Sequence, residues 1–266
     1  MKGKYFSTGF VRTSTPVTNQ IDSDGSDQAF ADKDIVFDWV AIDIPKGTHR
    51  LISADMIVQG NHGARQAEVD FQLWFARPID GVEPASLGTP NAAITGTGHR
   101  KNMLGILTLD STQSATDTFR FNSYYSSSSY SSDGLKTAVP GIIVDGEKML
   151  ADYDSYSSTD TPEGFIRIYV AGITMGALNF STNVLLNQAL NQAATTTETT
   201  LSTDGAHPTK VFEVGDTIAA MDGAAIGTIT ALTTTSITVD KCEEELEDDN
   251  EILTTTPIRV KLGFEQ

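Results

Sequence analysis

From Ala67 to Ala76 the chain alternates strictly: Val69, Phe71, Leu73 and Phe75 fall on one side of an extended segment, and Glu68, Asp70, Gln72 and Trp74 on the other. Successive side chains of a strand point to opposite faces, so this pattern describes a strand with one buried side. A helix repeats every 3.6 residues and would not produce it. The period-two texture recurs over Ile35–Ile44, which runs into Pro45-Lys46-Gly47, and over Arg50–Val58, which stops at Gly60-Asn61-His62-Gly63. Proline fixes φ and glycine frees it, so both stops read as turns. Further strands are expected over 119–125, 141–145 and 164–172. Trp39 and Trp74 lie inside strand patterns and are expected in the core or on a sheet face.

Serine and threonine total 55 residues, 34 of them threonine, and they sit beside Val and Ile in short runs broken by Gly, Asp, Asn and Pro. Such runs favour strands and turns, and without alternating amphipathic helices they predict an antiparallel sandwich rather than a parallel α/β sheet. The expected fold is all-β. It consists of an N-terminal arm over 1–24, a β-sandwich over 25–180, a short helix and linker over 181–204, and a small β-barrel over 205–266. The helix is read from apolar residues at 185, 186, 189, 190 and 193, and Thr195–Thr203 is read as linker. In the last region, strands are expected over 212–218, 223–232, 236–239 and 257–262, with Gly215, Gly223 and Gly227 at turns or bulges. Residues 81–98 and 124–134 are expected to be exposed loops.

Thirty-five Asp and Glu oppose 18 Lys and Arg, a formal net charge of −17, which counts against a nucleic-acid partner because phosphate binding needs clustered cations. Residues 181–266 carry 14 acids and 4 bases, a net −10 of the −17, so most of the net negative charge is C-terminal. One cysteine, Cys242, and four histidines leave no disulfide framework and few zinc ligands. No apolar run suggests a signal peptide or a membrane span, so a soluble intracellular product is expected.

No local pattern is catalytic. Asp22-Ser23-Asp24-Gly25-Ser26-Asp27 gathers carboxylates in a glycine-bent loop where a hard cation such as Ca²⁺ could bind, but it departs from the EF-hand pattern and reads first as a solvated turn. Glu243–Glu251 holds seven carboxylates in nine residues. It reads as a solvated loop between barrel strands, with contact to a basic surface of a neighbouring subunit, or weak divalent-ion binding, as the functional rival. The histidines at 49, 62, 99 and 207 all adjoin turn residues. Gly96–Asn102 reads as a basic loop, since the ending of a phosphate loop is missing. Cys242, among acids, is expected to be unreactive. Catalytic, cofactor and metal residues are therefore assigned to none. The Tyr/Ser stretch containing Tyr124, Tyr125 and Tyr130 has the chemistry of a binding loop for a partner or sugar. Tyr5, Phe6 and Phe10 suit an arm that orders on a neighbour, or else a frayed terminus or a first strand paired within its own sandwich.

Val214-Gly215-Asp216-Thr217-Ile218, followed by Gly223–Thr230 and Ser236-Ile237-Thr238-Val239, resembles the small β-barrel modules of tailed-phage virion proteins. The first 180 residues look like the β-sandwich parts of capsid decoration (cement) proteins or other minor structural proteins of marine and cyanobacterial phages. The resemblance implies a non-enzymatic virion protein on the capsid surface. It would bind the major capsid protein, bridge capsomers, and assemble as a trimer or dimer without cofactor, nucleic acid or membrane. A head or tail fibre component with carbohydrate or receptor binding is the alternative reading, and a virion-associated glycan hydrolase a third.

Overall fold

The computed structural model describes residues 5–12, 29–60, 69–109, 115–116, 121–127, 142–148, 160–187, 192–220 and 223–266. Its strands, numbered in chain order, form three antiparallel sheets. The first has the order β1 (Tyr5–Arg12), β16 (Ile258–Glu265), β3 (His49–Gln59), β7 (Phe121–Ser127) and β6 (Ala115–Thr116), with β8 (Ile143–Val144) also paired to β3. The second has the order β2 (Ile35–Pro45), β9 (Phe165–Thr174), β4 (Phe71–Ala76) and β5 (Met103–Leu109). These two sheets enclose one core, to which the first gives Leu51, Met56, Leu262 and Phe264 and the second gives Ile44, Phe71, Phe75 and Val170. The alternation of β4 is realised as read: Phe71, Leu73 and Phe75 are buried, while Gln72 and Trp74 lie half-buried on the opposite face. Gly172 of β9 faces Phe37 of β2, where a Cβ would meet the phenyl ring at 2.3 Å. Only glycine allows that ring to lie on the sheet.

The third sheet has the order β10 (Val184–Leu186), β11 (Thr199–Gly205), β14 (Ser236–Val239), β13 (Ala225–Leu232), β12 (Thr217–Ala219) and β15 (Leu253–Thr254). The chain before β15 brings its two edges together. The Leu186 N–H donates to the Asn250 carbonyl at 2.9 Å and the Ile252 N–H to the Val184 carbonyl at 2.8 Å, while β15 pairs with β12. The result is a nearly closed barrel around Leu186, Leu201, Phe212, Ile218, Ile226, Ile237 and Val239.

Several expectations need correction. The apolar residues at 185 and 186 belong to a strand: Val184–Leu186 pairs with Thr203–Gly205, and residues 188–191 lie outside the described residues. Thr182, Asn183 and Asn187 are weak helix formers, and edge pairing captures the segment instead. The supposed linker supplies β11, because β-branched threonine fits a pleated surface. Among the described residues the α-helix is a single turn, α1 (Pro208–Val211), which falls where the sequence reading expected barrel chain. The last strand does not join the barrel. β16 crosses to the first sheet and lies between β1 and β3, so the barrel is inserted into the sandwich rather than following it. The segment Tyr5–Arg12 is a regular strand along the full length of β16 and not an arm awaiting a neighbour.

Glu251 holds the two chain passages into and out of the barrel together. It is 8% exposed, and its Oε1 accepts from the Ser181 hydroxyl at 2.7 Å and from the backbone N–H groups of Thr182 and Asn183, the latter at 2.8 Å. Several donors replace the hydration that this buried carboxylate loses. This residue is the exception within its acidic run, whose other acidic side chains are exposed or half-buried.

Candidate contact surfaces

The outer face of the second sheet is only partly covered. Residues 77–102 fold back over it, and Leu87 packs with Ile35, Ala171 and Ile173 in a small second layer that includes the half-buried Trp39 and Trp74. The cover is pinned by polar contacts: the Leu87 N–H donates to Asp38 Oδ1 at 3.1 Å, and Trp39 Nε1–H donates to the Ala85 carbonyl at 2.9 Å. The loop expected over 81–98 is exposed along much of its length, with Pro84 and Leu87 buried beneath it.

At the end of this cover a short 3-10 turn, Gly98–Asn102, is tied to the end of β4. Asn102 Nδ2 donates to the Arg77 carbonyl at 2.8 Å, and the Arg77 N–H donates to the Asn102 carbonyl at 2.9 Å. The turn inserts His99 between the indoles, 6.2 Å from Trp39 and 5.9 Å from Trp74, with 5% of the residue exposed. Among the described residues its Nδ1 has no hydrogen-bond partner. Burial holds its pKa below the ordinary histidine value, the nearby Arg100 cation pushes the same way, and Asp38 opposes both. The ring is therefore neutral at pH 7, and the positive charge of the turn comes from Arg100 and Lys101, both exposed.

Beside the turn the sheet face stays open. Trp74 stands directly opposite Ile106 across the β4–β5 pair, and Ile106 is 42% exposed. Trp74 Nε1–H donates to Gln72 Oε1 at 3.0 Å, which fixes the indole in place. Trp74, His99, Arg100, Met103, Leu104 and Ile106 line an open groove of about 530 Å³. Aromatic residues, Met and Arg are the types enriched where proteins bury surface against one another. Sequence reasoning placed Trp74 on a sheet face but missed the groove. The available signal was a large indole on the otherwise polar side of an alternating strand.

The described residues among those singled out as partner-binding fall on β1 and β7, two strands of the first sheet. Tyr5, 67% exposed, begins β1 and donates its hydroxyl to Glu265 Oε1 at 3.1 Å, and Arg50 Nη2 donates to Glu265 Oε2 at 2.5 Å. These bonds, Arg50 first and Tyr5 second, hold the Glu265 carboxyl below its usual range. Phe6 stacks on Phe264 at 5.2 Å and meets His49 edge-on at 4.9 Å. Phe10 pairs with Val260 through the backbone. Tyr124 and Tyr125 pair with Met56 and Asp55 as part of β7, so the expected loop begins as a strand, and Tyr130 lies outside the described residues. The Asp22–Asp27 loop and His62 lie outside them too.

A second cleft, about 770 Å³, opens at one end of the sandwich between Lys46, Asp80, Glu147, Lys148, Glu163 and Phe165. Cys242 is buried in the barrel, and burial raises its thiol pKa, a stronger cause than the acidic neighbours. Among the described residues, no three His, Cys, Asp or Glu side chains gather into a metal-binding group. Comparison with family models, with curated proteins and with solved structures finds no match to this chain.

Proposed function

We propose that this chain is a non-enzymatic structural protein of a phage virion, a capsid decoration protein that binds the major capsid shell and stiffens it by bridging capsomers. The observation that carries the reading is β1. It forms the outer edge of the first sheet, and among the described residues no strand pairs with its free side. An unpaired edge presents a row of peptide N–H and C=O groups that a neighbouring strand can extend, a common mode of protein–protein assembly. Tyr5, Phe6 and Phe10, read from the sequence as contact residues, all lie on this strand. The resemblance of the barrel segment to phage virion modules supplies the setting.

Cosedimentation with capsids lacking the protein tests the reading. The wild type is expected to saturate shells at many copies and to raise their resistance to heat. Replacing the exposed Tyr5 and Ser7 by lysine puts charge along the edge, and it is expected to abolish most shell binding while the fold persists. A wild-type chain that stays in the supernatant at every ratio overturns the proposal.

A further inference from the structure

We infer that the groove at Trp74 and Ile106 receives the acidic run Glu243–Asp249 of a second copy of this chain. The inference rests on the assembly reading above and adds the contact between copies. Charge complementarity selects the occupant. In a chain of net charge −17, the turn beside the groove presents Arg100 and Lys101 to solvent, and among the described residues neither has a salt bridge. The strongest opposite pole is the run at the barrel surface, where Glu245, Glu247 and Asp249 are exposed.

The acidic run is held as a shaped knob. Leu246 is buried in the barrel and exchanges backbone hydrogen bonds with Gln192, at 2.8 and 2.9 Å, while the Glu247 N–H donates to Asn250 Oδ1 at 2.8 Å. Lys241 engages Glu243 at 2.5 Å. A preorganised cluster loses little freedom on docking, and carboxylates fixed side by side repel one another until cations reach them. Glutamate stems add methylene groups that suit the indole and Ile106, while their carboxylates reach the guanidinium. Each copy carries one groove and one knob, so the contact runs from groove to knob. It closes into a dimer or ring when the rotation between copies permits.

Sedimentation velocity at low and high salt, on the full chain and two charge-reversed variants, tests the inference. Arg100→Glu with Lys101→Glu reverses the groove, and Glu245→Lys with Glu247→Lys reverses the knob; all four side chains are exposed, and thermal melts check the fold. The wild type is expected to associate at low salt and to weaken as salt rises. Each variant alone is expected to associate about tenfold more weakly or worse. An equimolar mixture of the two variants is expected to regain association, since every groove then meets a knob of opposite charge. Ile106→Glu, which opposes the acidic knob without touching the turn, is expected to weaken association as well. A wild type that remains monomeric, variants that associate as the wild type does, or a mixture that fails to recover overturns the inference. Shell cosedimentation by the wild type would stand in each case, so failure here is distinct from failure of the decoration reading.

Discussion

The sandwich and the barrel differ in how far apart their partners lie along the chain. In the sandwich, Tyr5 and Glu265 meet across 260 residues, and Arg167 of β9 forms a two-pronged ion pair with Asp43 of β2 at 2.8 and 2.9 Å across 124. In the barrel, β13 and β14 are joined by three residues, and Thr217 of β12 faces Thr228 of β13. Distant pairing must close long loops before any contact forms, whereas local hairpins form their contacts early. The barrel can thus assemble from residues 184–254, but the sandwich waits for the last strand. Glu251 holds the passages between the two.

That comparison is broken most strongly at Glu251. Replacing it by alanine leaves the Ser181 hydroxyl and the Thr182 and Asn183 N–H groups without their acceptor, and is expected to cost about 3 kcal/mol in urea unfolding. Glu251→Gln keeps an acceptor oxygen and is expected to lose less. A change within the noise of the titration would mean that the passages are held by pairing alone.

A smaller effect sharpens the difference from the sandwich side. The Glu265 carboxyl titrates below its unfolded value, so its bonds to Arg50 and Tyr5 stabilise the fold above the unfolded pKa. That contribution is lost as pH falls through the lower, folded pKa. The stability gap between wild type and Glu265→Gln is therefore expected at neutral pH and expected to vanish in acid, as read from melts across that range. A gap that persists or grows in acid would contradict the assignment.

How much of this was legible follows from range. Strands β2, β3, β4 and β9 announced themselves through alternation and bounding turns, which are local signals. The alternation of Ile258, Val260, Leu262 and Phe264 was equally visible, yet nothing in those residues names β1 and β3 as neighbours. Residues 184–186 and 199–203 were misread because spaced apolar residues suggested a helix and threonine suggested a linker, whereas pairing with residues 249–252 and 236–239 decides their structure. The groove was hidden for the same reason: Trp74 and His99 are 25 positions apart, and only the folding back of 77–102 brings them together.

Hydrogen exchange on a chain ending at Thr256 tests the central claim, that the final strand completes a sandwich into which an independently built barrel is inserted. The account predicts that amides of β11, β13 and β14 keep the protection they have in the full chain while those of β1 and β3 lose it. Undiminished protection of β3 without β16, or collapse of the barrel along with the sandwich, would contradict it.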